Sequence, residues 1–188
     1  MNTIKLKSNR ELIFILLAST ILVLSGCSMS KSSQQINSVD WTDHYNTVDE
    51  MTRNSDYIII ARVSNQRYEE RHDLVFTLSE VTVVKNIGLK PIPENQKFTV
   101  LQTGGISNGI ETNPIEDVLM LKNNNTYLLF LRETNESYVI LMGGFQGIAS
   151  IINGKVSFPD NHSFSKNQLD QIPVSDLEYT ISYILKDQ

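Results

Sequence analysis

The stretch "LVFTLSEVTVV", Leu74–Val84, sets Val75, Thr77, Ser79, Val81 and Val83 against Phe76, Leu78, Glu80 and Thr82 in strict alternation. Side chains of an extended strand alternate between faces, and β-branched and aromatic residues fit that pleat, so this stretch predicts a strand. Similar composition recurs at Tyr57–Ser64, Lys97–Thr103, Thr126–Glu133, Ser137–Gly143 and Gly147–Ile152. The first of these, "YIIIARVS", is apolar at successive positions, the pattern of a largely buried strand. Asn153–Gly154 predicts a two-residue hairpin turn, and "NQRYEERHD" reads as a charged hairpin loop or a strand extension. Pro91, Pro93 and Pro114, with Gly104, Gly105 and Gly109, mark the longer connections. The fold class is therefore mainly β, with antiparallel hairpins.

Helical spacing appears at the two ends of this region. Trp41, Tyr45, Val48 and Met51 share one side of a helical wheel, with acids early and Arg53 late, which predicts a short amphipathic helix. His44 within it reads as a solvated residue rather than a ligand. Near the C-terminus, Ser175, Asp176 and Glu178 form a capping-box pattern ahead of Leu177, Ile181, Ile184 and Leu185. This second helix is expected to close one end of the β core.

The order of the segments "SDYIIIARVS", "VFTLSEVTVVKNIG", "KFTVLQTGG", "LMLKNNNTYLLFLRE" and "YVILMGGFQGIASIINGKV" resembles a group of small Firmicute surface proteins. The core of those proteins is similar to the netrin-like OB fold, and the resemblance covers most of Asp56 to Val156. It implies an OB-like antiparallel β-barrel with a short N-terminal helix and a C-terminal helix. "KNIG" and "NNNT" depart from the Lys-Gly and Gly-Glu or Gly-Lys turns usual there. Tissue metalloproteinase inhibitors share the fold and chelate zinc through an N-terminal cysteine. That role does not carry over, because the cysteine here has another assignment.

That assignment comes from the N-terminus. Lys5, Lys7 and Arg10 precede the apolar run "LIFILLASTILVL", Leu12–Leu24, the layout of a secretory signal peptide. As a helix the run would span about 20 Å, short of the roughly 30 Å of bilayer hydrocarbon that a permanent transmembrane helix must cross. Leu24, Ser25, Gly26 and Cys27 follow, and these four residues resemble the lipobox of bacterial lipoproteins. The resemblance implies a diacylglyceryl group on Cys27 and cleavage between Gly26 and Cys27. Two acyl chains, at about 0.8 kcal/mol per buried methylene, give stable anchoring. The expected organisation is a signal peptide over 1–26, a lipidated cysteine and flexible tether over 27–38, and a single β-rich domain with flanking helices over 39–188. The expected location is the extracytoplasmic face of the cell membrane, of a Gram-positive bacterium.

Charge narrows the partners. The leader takes a net +2 with it, so the formal −5 of the whole chain becomes −7 for residues 27–188. That acidity argues against nucleic acid, whose phosphates call for clustered Lys and Arg, and against electrostatic attachment to anionic lipid. Cys27 is the only cysteine, so no intramolecular disulfide can form.

Candidates for chemistry are few. "GISNG", Gly105–Gly109, matches the G-x-S-x-G nucleophile elbow with Ser107 at its centre, and Asp117 and His162 follow in the order of the α/β-hydrolases. The elbow requires a helix next, which Gly109, Asn113 and Pro114 oppose. "GGFQG", Gly143–Gly147, has strand signals on both sides and reads as a bulge or tight turn rather than a phosphate cradle. "EERHD", Glu69–Asp73, reads as a solvated charged loop, and "DNHS", Asp160–Ser163, lacks partners for a metal. No cofactor or metal site is expected. The first expectation is a non-enzymatic binding module for an envelope protein, peptide or glycan, with "QTGGISNG" as a candidate rim. The alternatives are an envelope serine hydrolase using Ser107, and a surface lipoprotein of a mobile element or prophage that alters phage or DNA entry.

Overall fold

The computed structural model describes residues 44–113, 119–159 and 167–186, together with the backbone of Ser33–Gln35. Gly26, Cys27, Trp41, Pro114, Asp117 and His162 lie outside the described residues.

The strands, in chain order, are β1 (Ser33–Gln35), β2 (Tyr57–Arg71), β3 (Leu74–Asn86), β4 (Lys97–Thr103), β5 (Gly105–Ser107), β6 (Ile110–Asn113), β7 (Thr126–Glu133), β8 (Val139–Leu141), β9 (Ile148–Ile152) and β10 (Lys155–Ser157). Helix α1 (Val48–Asn54) precedes β2, and α2 (Val174–Lys186) follows β10. Five strands close on themselves in the order β7, β2, β3, β4, β8 and back to β7. All these pairs are antiparallel except β4 with β8. This is an OB-like barrel, mainly β, with a short N-terminal and a C-terminal helix. Strands β9 and β10 extend the same sheet beyond β7.

The continuous apolar runs are explained by burial on both faces. Tyr57, Ile59, Ala61 and Val63 of β2, with Tyr127, Leu129 and Leu131 of β7, fill the barrel interior against Val81, Val83 and Val100. The intervening Ile58, Ile60, Leu128 and Phe130 form a second core with Met51 of α1 and with Leu177, Ile181 and Ile184 of α2. Each fully buried Leu, Ile or Phe contributes about 1.5–3 kcal/mol of transfer free energy, so neither face of these strands tolerates a polar substitution. The C-terminal helix therefore packs on the outer face of the sheet instead of closing one end of the core.

Two irregularities in the β2–β3 ladder fall between Ile60 and Ala61 and between Val63 and Asn65. They leave Val84 of β3 and Ser64 of β2 without a register partner, and bulges of this kind bend a hairpin enough to close a barrel. Closure itself occurs on one edge of β7. That edge pairs β9 over Tyr127–Leu129 and β8 over Leu131–Glu133, with Phe130 between. There the Phe130 amide donates to the Gly147 carbonyl at 2.9 Å, and its carbonyl accepts from the Met142 amide at 3.0 Å. A Cβ on Gly147 would lie 2.6 Å from the Phe130 carbonyl oxygen and 2.7 Å from the Met142 nitrogen, so only glycine lets these backbones meet. "GGFQG" is thus the tight turn expected, with positive φ at Gly143 and Gly144.

The N-terminal helix begins later than its spacing predicts. Thr47 is the N-cap, accepting from the Glu50 amide, while Tyr45 is buried ahead of the helix and His44 is exposed. The fully buried Gln146 side chain holds Tyr45 in place: Oε1 accepts from the Tyr45 amide and Nε2 donates to its carbonyl, both at 2.9 Å. Arg53 donates through Nε and Nη2 to the Ile184 carbonyl, which joins α1 to the last turn of α2. The anticipated capping box at Ser175 does not form. Val174 already opens α2, its amide donating to the Gly154 carbonyl, and Ser175 Oγ bonds to Asp176 instead.

A second sheet of three strands, in the order β1, β6, β5, stands apart in the pairing scheme. Within the segment read as a flexible tether, Ser33–Gln35 pairs in parallel with Glu111–Asn113. Backbone hydrogen bonds alone can recruit such a polar strand, so alternation gives no sign of it.

Candidate functional site

Ser107 sits at the end of β5. Asn108 and Gly109, with φ of 49° and 83°, turn the chain straight into the antiparallel β6, and Ser107 pairs with Ile110. A nucleophile elbow needs a helix at that point, and the residues directly after Ser107 are a type I′ turn and a strand. Asp117 and His162 fall outside the described residues. His72 and Asp73, with φ of 50° and 62°, form the two-residue turn between β2 and β3. "NQRYEERHD" is thereby a strand extension, and Glu69 pairs with Arg71 at 2.9 Å. Among the described residues, no group of three or more His, Cys, Asp or Glu is placed to hold a metal ion, and no helix is long and apolar enough to cross a membrane.

Of the expected rim "QTGGISNG", Ile106, Asn108 and Gly109 are exposed, while its first half is tied into the fold. Gln102 is buried and its side chain bonds to the Leu119 carbonyl and the Leu121 amide. Thr77 Oγ1 donates to the Gly104 carbonyl at 2.6 Å, and Gly105 lies so close to the Tyr68 ring that a Cβ would come within 2.8 Å of it.

A cleft of about 300 Å³ opens elsewhere, where β4 and β8 part. The β3–β4 ladder runs the full length of Lys97–Thr103, but β8 pairs only with Val100 and Leu101. Between Lys97–Thr99 and the β7–β8 connection, residues 134–138, the chain leaves a gap. Tyr57, Phe98 and Val139 form its base, where the barrel core reaches the surface, and the Tyr57 and Phe98 rings stack at 5.0 Å in a tilted arrangement. The connection is held bowed by Thr134, whose Oγ1 donates to the Tyr138 carbonyl at 2.5 Å and accepts from the Glu136 amide at 3.1 Å.

Two hydrogen-bonded chains fix the polar groups. On one side Lys90 Nζ donates to the Tyr57 hydroxyl at 2.9 Å and to Glu133 Oε2 at 3.1 Å, while the Tyr57 hydroxyl donates to Glu133 Oε1 at 2.9 Å. Asn86 places Lys90 by donating to the Gly88 and Lys90 carbonyls. The hydrogen bonds from Lys90 first, then Tyr57, hold the Glu133 carboxyl below its ordinary pKa, and the bonds to Tyr57 first, then Glu133, raise that of Lys90. On the other side Ser64, the bulge residue of β2, donates to Glu80 Oε1 at 2.9 Å, and Lys97 Nζ donates to the same oxygen at 3.0 Å. Lys97 first and Ser64 second lower the Glu80 pKa. Arg71, at the β2–β3 turn, reaches over the Tyr138 ring at 5.6 Å from its centroid. The first hairpin turn and the β7–β8 connection of the barrel therefore meet beside the cleft. In OB folds these two loops, with the neighbouring strands, border the ligand-binding face.

No protein-family model, curated protein or solved structure matches this chain. The site rests on its own geometry. Sequence reasoning did not single out Tyr57, Lys90, Glu133, Glu136 or Tyr138, because they come from three separate stretches that only the tertiary fold unites. One signal was available: Tyr57 and Glu133 sit at the ends of the two most apolar strands, where a polar atom must find a partner at the barrel mouth.

Proposed function

We propose that this chain is a lipoprotein of the bacterial envelope, anchored through Cys27 at the extracytoplasmic face of the cell membrane, whose OB-like barrel acts as a non-enzymatic binding module. The cleft between β4 and residues 134–138 carries the reading. It has an aromatic base and polar groups already fixed by hydrogen bonds, so a ligand meets an organised surface. Its position, flanked by the first hairpin turn and the β7–β8 connection, is that of the binding face of OB barrels. The acidity of residues 27–188 favours a protein, peptide or glycan over nucleic acid.

The test is photo-crosslinking in intact cells, with a photoreactive phenylalanine analogue placed at Tyr138 and, as a control, at Tyr179, which is exposed on α2. Capture of one discrete envelope component from position 138 and not from 179 is expected. Equal capture from both, or none from 138, removes the cleft as the site.

A further inference from the structure

Strand β4 offers the cleft more than side chains. Gln96 turns its carbonyl to the Val83 amide of β3 at 2.8 Å. By the alternation of an antiparallel ladder, Lys97 then directs its amide and carbonyl, and Thr99 its amide, to the opposite edge, toward residues 134–138, while the Thr99 carbonyl stands at the start of the β4–β8 ladder. That edge has no strand partner over Lys97–Thr99 among the described residues, since the β8 register begins at Val100. The cleft occupies the lane in which β8 would lie if it began three residues earlier, and Thr134 keeps the preceding connection bowed out of that lane.

The charges bordering the lane are uneven. Lys97 is paired with Glu80, and Lys90 with Glu133, whereas the exposed Glu136 makes no ion pair among the described residues. The nearby rings also already face cations: Lys90 Nζ lies 4.3 Å from the Tyr57 centroid, and Arg71 lies over Tyr138. We propose that the ligand is an extended peptide segment bearing a basic side chain, which adds as a short strand to the Lys97–Thr99 edge of β4 and places its cation against Glu136. Strand addition takes affinity from main-chain hydrogen bonds and specificity from the side chains beside it, which is what an open edge next to one unpaired carboxylate provides. The proposal rests on the cleft being the binding site and names the class of ligand for it.

The experiment titrates the ¹⁵N-labelled full chain in detergent micelles with acetyl-Thr-Lys-Val-Lys-Thr-amide. Parallel arms use the same peptide N-methylated at alternate residues, the charge-reversed acetyl-Thr-Glu-Val-Glu-Thr-amide, and chitotetraose. The basic peptide should move the amide signals of Lys97, Thr99 and residues 136–138. Its affinity should fall about tenfold in Glu136→Lys, whose exposed loop position leaves the fold intact, and N-methylation should abolish binding. Equal binding of the N-methylated peptide overturns strand addition, and equal binding of the charge-reversed peptide overturns the preference for a cation. If chitotetraose moves these signals and the basic peptide does not, the ligand class is wrong while the cleft stands. If no probe moves them and Tyr138 captures nothing in cells, the cleft reading falls as well.

Discussion

Gln146 joins the chain entering α1 to the turn that closes the barrel, and its substitution gives a stability test with a built-in control. The side chain is fully buried, and its amide satisfies both the N–H and the C=O of Tyr45. Methionine has nearly the same length but neither donates nor accepts usefully, so Gln146→Met leaves two buried backbone groups without those partners. At about 1–3 kcal/mol for each, the loss is roughly 2–6 kcal/mol. Gln146→Glu separates hydrogen bonding from shape. A protonated carboxyl can accept from the Tyr45 amide and donate to its carbonyl, whereas a carboxylate sets a negative oxygen against that carbonyl in a dry site. The folded state therefore prefers the protonated form, and its pKa rises above the unfolded value of about 4.3. A raised pKa gives stability that is fully present below the unfolded pKa and is lost as pH rises through the folded one. If the rise is about three pH units, the deficit above that range is about 4 kcal/mol. Urea unfolding at pH 4 and pH 8, each referred to the parent protein at the same pH, reads this directly. Gln146→Met should show a similar deficit at both pH values. Gln146→Glu should come close to the parent at pH 4 and fall well below it at pH 8. A Glu variant with the same deficit at both, or a Met variant within about 0.5 kcal/mol of the parent, refutes the role assigned to this amide.

Gly147→Ala should cost about 3 kcal/mol, because the new methyl meets the Phe130 and Met142 backbones and neither can withdraw; for a domain of this size thermal unfolding should shift down by roughly 6–12 °C. The Glu133 carboxyl should titrate below its ordinary 4.5 by NMR, so the bonds to Lys90 and Tyr57 persist above that pH and loosen as pH falls through the lowered value; Lys90→Met should return the midpoint toward 4.5, and an unmoved midpoint contradicts the network. Cys27→Ala should abolish incorporation of labelled palmitate and release the protein from the membrane fraction, and retention of the label would discard the lipobox reading. Ser107→Ala should leave the fold unchanged, since Ser107 lies beside a hairpin turn, and a fluorophosphonate label that disappears in this variant would favour the hydrolase alternative over the binding module.

Much of the β architecture was legible because its causes are local. Lys97–Thr103 and Thr126–Glu133 match their strands residue for residue, and Asn153–Gly154 forms its turn with φ of 51° and 75°. Asn108–Gly109 carries the same turn signal. The nucleophile-elbow match competes with it at the same residues, yet two residues of positive φ between strands describe a hairpin fully. The delayed start of α1 escaped the spacing argument. Tyr45 has the periodicity of a helix, but its backbone is claimed by Gln146, 101 residues away.

Sequence alone set the main barrel strands, the Asn153–Gly154 turn, the acidic balance and the lone cysteine, because alternation, positive-φ chemistry and charge are properties of neighbouring residues. Tertiary structure decided the cleft. Only closure of β7 onto β8, with β8 meeting β4 over just two residues, brings residues 134–138 opposite Lys97–Thr99, and the pairing of β2 with β7 sets Tyr57 beside Glu133, where Lys90 joins them at one side of the cleft. Register between strands distant in sequence depends on the packing of the two cores, so no local pattern encodes where a barrel leaves an edge open.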